Sequence, residues 1–258
     1  MTASDAWERW RADRLADLNA LLGDATLVST TWLGEGWVPL PDAPGEWRID
    51  AAGRIRHRPG LAAARFDPSA EAPPADEPED AGLVLPGTFT ARFDGRAVTP
   101  VRWPGIGSAL RVWDAAAGDV ARVDAFSYDP EWRLSGAFSP ERAGLDYEYL
   151  GHGGRVERRE TVGRALISIG GEEYRIVVTE GARGFETVFA DATNGAETYA
   201  RGRFAPVELD AEGRAVIDFN RAFLPPCAFS DAFDCPLAPP QNRITVPVRA
   251  GETAVVRG

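Results

Sequence analysis

Hydrophobic and polar residues at the start of the chain follow the period of a helix. Trp7, Trp10, Arg14, Leu18 and Leu21 recur on one face, Asp5 and Glu8 stand three apart as a capping box, and Gly23 stops the pattern. After Gly23 the period falls to two. Short runs rich in Val, Ile, Thr, Phe and Trp follow, among them "TLVSTTWL", "GTFTARFDG", "SALRVWD", "RALISIGGEEYRIVV", "FETVFADATNG", "ETYARGRF", "GRAVIDF" and "RITVPVRAGE". Short strands at nearly regular spacing predict an all-β fold, an antiparallel barrel or sandwich preceded by one amphipathic helix. Asp94-Gly95, Gly170-Gly171 and Asn194-Gly195 offer the positive φ angles of tight hairpins. Residues 1–23 are expected to pack as a helix on a single β-rich domain of residues 24–258. The acidic, proline-rich segment 66–80 reads as a surface loop, because the strand-like runs before it are too few to close a core.

The alternation fails in one long stretch. Ala215, Ile217 and Phe219 share one strand face and Val216 and Asp218 the other, and the next alternating run starts near Ile244. Connections longer than about 12–15 residues in a compact domain are functional or disordered. Here Phe223, Leu224, Phe229, Phe233 and Leu237 supply apolar anchors, and prolines 225, 226, 236, 239 and 240 lower the entropy lost on ordering. The 218–243 segment is therefore predicted to be a long ordered loop near the C-terminus.

Charge and composition narrow the partners. With 28 basic against 39 acidic residues the net charge is −11, which disfavours nucleic acid and anionic membrane surfaces. All 28 basic residues are arginines, so no lysine is present to form a Schiff base or to bind phosphate in a P-loop. The lysine-free, alanine- and proline-rich composition points to a GC-rich bacterial genome. At 44% hydrophobic residues the chain can fold alone, as a monomer or homodimer. No run approaches the roughly 18 apolar residues of a membrane span and the N-terminus lacks an apolar signal segment, so a cytoplasmic protein is expected. Only His57 and His152 could serve as bases of a catalytic triad, and neither lies in a recognisable motif. Cys227 and Cys235 cannot complete a zinc site by themselves, and no metal or cofactor is expected. They are read either as buried thiols or as a disulfide closing a small loop.

The polar groups around the loop are the candidate binding residues: Tyr199, Arg203, Asp218, Asn220, Arg221 and Asn242. Arg221 is either a clamp on loop carbonyls and Asp218 or one wall of a pocket. Tyr199, Arg201 and Arg203 are expected on one strand face and Arg54, Arg56 and Arg58 on another. The "DATNG" turn is read as an Asx-type closure by Asp191 and Asn194. Three functions compete. The first is a β-barrel that binds a small anionic or polyhydroxylated ligand in a pocket covered by the 218–243 loop. The second is a hydrolase using Asp218 and Asp191, with Arg221 and Tyr199 stabilising charge. The third is a structural or dimerisation protein.

The ordered series "FADATNGAETYARGRF", "DFNRAF", the cysteine of "PPC", "CPL" and "NRITVPVRAGE" resembles the bacterial and archaeal domain-of-unknown-function family 1684. The resemblance runs from about Trp32 and is strongest from Phe189 to Glu252. It includes Asp191, Asn194, Tyr199, Arg203, Asp218, Asn220, Arg221, Cys227, Cys235, Asn242, Gly251 and Glu252, and it implies no established activity. Leu224 and Gln241 depart from it, standing where asparagine and glutamate are common. An amide at 241 does not titrate, so it cannot act as a general base.

Overall fold

A computed structural model of the chain describes residues 2–258 apart from 59–64, 68, 70–81, 104 and 151–155. Strands make up 51% of it, with one N-terminal α-helix, α1 (Ala3–Asn19). The capping box forms one turn earlier than the sequence suggests. Thr2 N–H donates to Asp5 Oδ2 (2.7 Å) and Asp5 N–H to Thr2 Oγ1 (3.1 Å), so the helix is already under way at Asp5. Among the described residues no helix is long and apolar enough to cross a membrane. The chain groups into two compact units, Asp17–Asp119 and Met1–Ala16 with Val120–Gly258.

The Asp17–Asp119 unit contains β1 (Leu27–Trp32), β2 (Val38–Leu40), β3 (Ala43–Ile49), β4 (Ile55–Arg58), β5 (Arg65–Asp67), β6 (Leu83–Leu85), β7 (Thr90–Phe93), β8 (Arg96–Trp103) and β9 (Gly107–Asp114). They form two sheets, β1-β9-β8-β7-β5 and β2-β3-β4-β6, whose apolar residues meet in a cluster that includes Trp47, Ile55, Phe89, Leu110 and Val112. The early strands gain a core because β9 returns to pair with β1, Leu27 opposite Trp113. Of the 66–80 segment only Phe66, Asp67 and Ser69 are described; Phe66 lies in β5 and packs on the cluster. The arginines at and just before β4 are neutralised locally. Asp50 Oδ2 accepts from Arg54 Nε (2.9 Å) and Arg56 Nε (2.8 Å), and Arg58 approaches Glu46 at 3.6 Å. Although burial opposes it, the Arg54 N–H and these guanidinia hold the Asp50 carboxyl at about 2.

The other unit is built on a closed six-stranded antiparallel barrel. After β10 (Val120–Ala125) come β11 (Arg133–Pro140), β12 (Gly144–Leu150), β13 (Val156–Ile169), β14 (Glu172–Gly181), β15 (Gly184–Phe189), β16 (Arg203–Leu209), β17 (Ala215–Asp218), β18 (Cys235–Pro236) and β19 (Glu252–Arg257). The ring runs β11-β17-β16-β15-β14-β13 and closes by pairing β13 with β11, Ala137 opposite Leu166. β13 pairs with β12 at its start and with β11 further on, shifting register on β14 between Thr161 and Gly163. Gly163 is required there, because a Cβ would stand 2.4 Å from the Phe138 ring. Inward residues alternate as read: Ala215 and Ile217 join Ile167, Ile176, Val178, Phe189 and Val207. The interior is filled by side chains, as in other small barrels.

Two predicted strands are not strands. "ETYARGRF" runs through turns and enters β16 only at Arg203, so Tyr199 and Arg201 do not share a strand face with it. "RITVPVRAGE" buries Ile244, Val248 and Ala250 against the barrel interior, yet its only strand is β19, which starts at Glu252. His152 lies outside the described residues.

Candidate functional site

The 218–243 segment is ordered by three 3-10 turns, Phe219–Arg221, Pro226–Ala228 and Pro240–Asn242, and by β18, which pairs with β12. Its aromatic anchors behave as their hydrophobicity requires. Phe219 enters the barrel core, Phe223 stacks on Phe204 at 5.5 Å between centroids, and Leu224, Phe229 and Phe233 are buried.

Most of the candidate polar residues hold this segment in place. Asn242, fully buried, reaches between β14 and β15 beyond the point where these strands pair directly. Its Oδ1 accepts from Val177 N–H (2.7 Å), and its Nδ2 donates to Val177 O (3.0 Å), Val188 O (2.9 Å) and Thr187 Oγ1 (2.9 Å). One amide thus substitutes for a missing stretch of ladder. Asn220 exchanges both its amide groups with the Asp129 backbone, at 3.0 and 2.9 Å, while its carbonyl accepts from the Trp7 indole of α1 at 2.8 Å. Arg203 is buried at the end of the barrel. It is paired with Asp191 at 2.8 Å, donates to the carbonyls of Val248, Ala250 and Glu252, and stacks on Phe189. Burial pushes the Arg203 guanidinium down, and the Asp191 charge opposes that shift. Asp191 also caps Thr193 N–H and Val248 N–H, and Asn194 Oδ1 accepts from Asp191 N–H, which makes the Asx closure of the "DATNG" turn.

Sequence reasoning missed a second buried ion pair. Glu252 Oε1 accepts from Arg14 Nε (2.6 Å) on α1, and Glu252 Oε2 accepts from Leu224 N–H (2.8 Å). Arg14 sits over the Phe223 and Phe229 rings. Its place on the helix stripe among tryptophans and leucines was the available signal.

Asp218 and Arg221 remain. They line a pocket of about 190 Å³ on the outer face of β11, β16 and β17, together with Arg133, Pro206, Glu208 and Val216. Asp218 Oδ1 is taken by Asn220, through its backbone N–H and its side-chain amide, each at 3.1 Å. Oδ2 approaches Arg221 Nε at 3.6 Å. Arg221 Nε is buried and has no hydrogen-bond partner. Arg133 stands opposite Asp218 across the β11–β17 ladder, a proximity set by strand pairing and invisible in sequence. Neither Tyr199 nor Asp191 borders this pocket.

Residues 119–253, just over half of the chain, match the family model described as "Protein of unknown function (DUF1684)". The chain belongs to the DUF1684 family. The solution NMR structure of an uncharacterised protein from Haloarcula marismortui, gene locus rrnAC0354, is 27% identical to it, covering 51% of this chain and 76% of that one with a TM-score of 0.42. No curated protein matches the chain. In this DUF1684 member the matched region spans β10 to the start of β19 and so contains the whole barrel, the ordered loop and the pocket.

Tyr199 lies elsewhere in the DUF1684 region, against the cysteines. Its hydroxyl donates to Cys227 O at 3.1 Å and lies 3.8 Å from Cys227 Sγ, while Cys227 N–H donates to Cys235 Sγ at 3.1 Å. Both thiols are buried and neither is in a disulfide. The six candidate residues therefore divide three ways: Arg203, Asn220 and Asn242 into the scaffold, Asp218 and Arg221 into the pocket, and Tyr199 onto the thiols. Among the described residues, no three His, Cys, Asp or Glu side chains converge as metal ligands would.

Proposed function

We propose that this barrel binds a small anionic ligand bearing hydroxyl groups, of the hydroxy-acid or sugar-phosphate class, in the pocket between Arg133 and Arg221. The observation that carries the reading is Arg221 Nε, withdrawn from solvent without a hydrogen bond, its 3.6 Å approach to Asp218 being too long for one. The rest of the guanidinium, on a side chain 35% exposed, offers its outer N–H groups to a ligand carboxylate or phosphate. Arg133 supplies a second cation, and Asp218 and Glu208 supply acceptors for hydroxyl groups. At about 190 Å³ the pocket is smaller than the ~300–1,000 Å³ of drug-sized sites, which favours a metabolite of few atoms. Binding is favoured over hydrolysis because Asp191, the second carboxylate that a two-acid mechanism would use, is committed to Arg203 and Val248.

Calorimetric titration with inorganic phosphate, citrate and glycerol 3-phosphate tests this. At least one should bind saturably, and Arg221→Ala and Arg133→Ala should each weaken it by tenfold or more with little change in melting temperature. Absence of saturable binding, or binding that both variants retain, refutes the proposal.

A further inference from the structure

Cys227 and Cys235 sit in a setting that the pocket does not use. Cys227 N–H donates to Cys235 Sγ at 3.1 Å, which brings the second sulfur against Cys227, and the Tyr199 hydroxyl lies 3.8 Å from Cys227 Sγ. The thiols are buried at 5% and 4% exposure, and Arg201, two residues beyond Tyr199, is exposed. Reactive cysteines occupy such settings, electropositive and close to the surface, whereas inert ones are enclosed by apolar groups. A second thiol in contact provides the resolving partner that reversible oxidation requires.

We propose that Cys227 and Cys235 are a redox-reactive pair, which a hydroperoxide oxidises to a disulfide and a dithiol reductant restores. The Cys227 thiolate attacks one peroxide oxygen. The S–O bond forms as the O–O bond breaks, and the departing oxygen takes a proton and leaves as water or alcohol, giving a sulfenic acid on Cys227. The Cys235 sulfur then attacks that sulfur. The S–S bond forms, the S–O bond breaks and water leaves, so two thiols lose two electrons and two protons to one peroxide. Arg201 stabilises the attacking thiolate. In keeping with this geometry, the Cys235 hydrogen bond first, and then, against burial, Tyr199 and Arg201, hold the Cys227 thiol at about 7. Arg201 is raised, through Tyr199 first and the cysteines after it.

The test uses the full chain, reduced and freed of reductant, exposed to hydrogen peroxide, and quenched with an alkylating agent for intact-mass analysis. The native protein should lose two hydrogen masses and both alkylatable thiols, reversibly with dithiothreitol. Cys235→Ser should stop at a sulfenic acid on Cys227 that dimedone traps, and Arg201→Ala should slow the first step roughly tenfold at neutral pH. Two results overturn the proposal: native thiols that remain alkylatable without mass change, or oxidation no faster in the folded chain than in urea, which would mean that the fold contributes nothing to reactivity.

Discussion

Replacing Asn242 by leucine, which is close to it in size but cannot hydrogen-bond, separates a scaffold role from a ligand role. In the folded protein the substitution leaves Val177 N–H and Val188 O facing an apolar side chain. Val177 O keeps a partner, because Thr187 Oγ1 also donates to it at 3.0 Å. Two buried backbone groups orphaned at about 1–3 kcal/mol each give a loss of roughly 2–6 kcal/mol. Surface exposure cannot relieve this, since Asn242 is fully buried. For a unit of this size each kcal/mol corresponds to about 2–4 °C in melting temperature, so a fall of at least 4 °C is expected. Urea titration followed by far-ultraviolet circular dichroism measures the free energy directly, and an unchanged m-value would show that the same surface unfolds. A variant within about 0.5 kcal/mol of wild type, the range of ordinary surface substitutions, would refute the account of Asn242 as a replacement for ladder hydrogen bonds.

Three further outcomes are expected. Burial pushes the His57 imidazole down to about 4, so the folded state binds fewer protons than the unfolded one between that value and 6.5. Stability of the Asp17–Asp119 unit should therefore fall as pH drops through this window, by about 3 kcal/mol, and His57→Gln should flatten the dependence; parallel curves for the two proteins in denaturant titrations would count against the assignment. Glu252→Gln should destabilise by roughly 3–5 kcal/mol by leaving Arg14 buried without its counter-charge, and in a double-mutant cycle Arg14→Met should recover part of that loss; strict additivity would show no coupling. Gly251 adopts φ +77° with Ala222 O only 2.5 Å from where a Cβ would stand, so Gly251→Ala should lower stability by well over 1 kcal/mol in the same measurement.

Burial could be read from the sequence more readily than pairing. The alternation of Ala215, Ile217 and Phe219 correctly turned those residues inward, and Gly170-Gly171 made its hairpin turn between β13 and β14. The same alternation in "RITVPVRAGE" identified buried residues but suggested a strand. Period two records which side chains face the core, not whether a neighbouring backbone is available. In the structure the carbonyls of Val248, Ala250 and Glu252 accept from the Arg203 guanidinium, which takes a role that a neighbouring strand would otherwise fill. The site divided along similar lines. Asp218 and Arg221 line the pocket, whereas Asn220, between them in sequence, also turns to the Asp129 backbone. The pocket also needed Arg133 and Glu208, which only strand pairing brings near.

The Arg14–Glu252 pair also bears on how the protein is made. Its partners are 238 residues apart, Arg14 on α1 and Glu252 on β19. At about 5–20 residues per second, the arginine waits roughly 12–48 s for its carboxylate. During that interval the Asp17–Asp119 sheets can pair from residues already synthesised, whereas the barrel unit lacks β19 until residues 252–257 have been added.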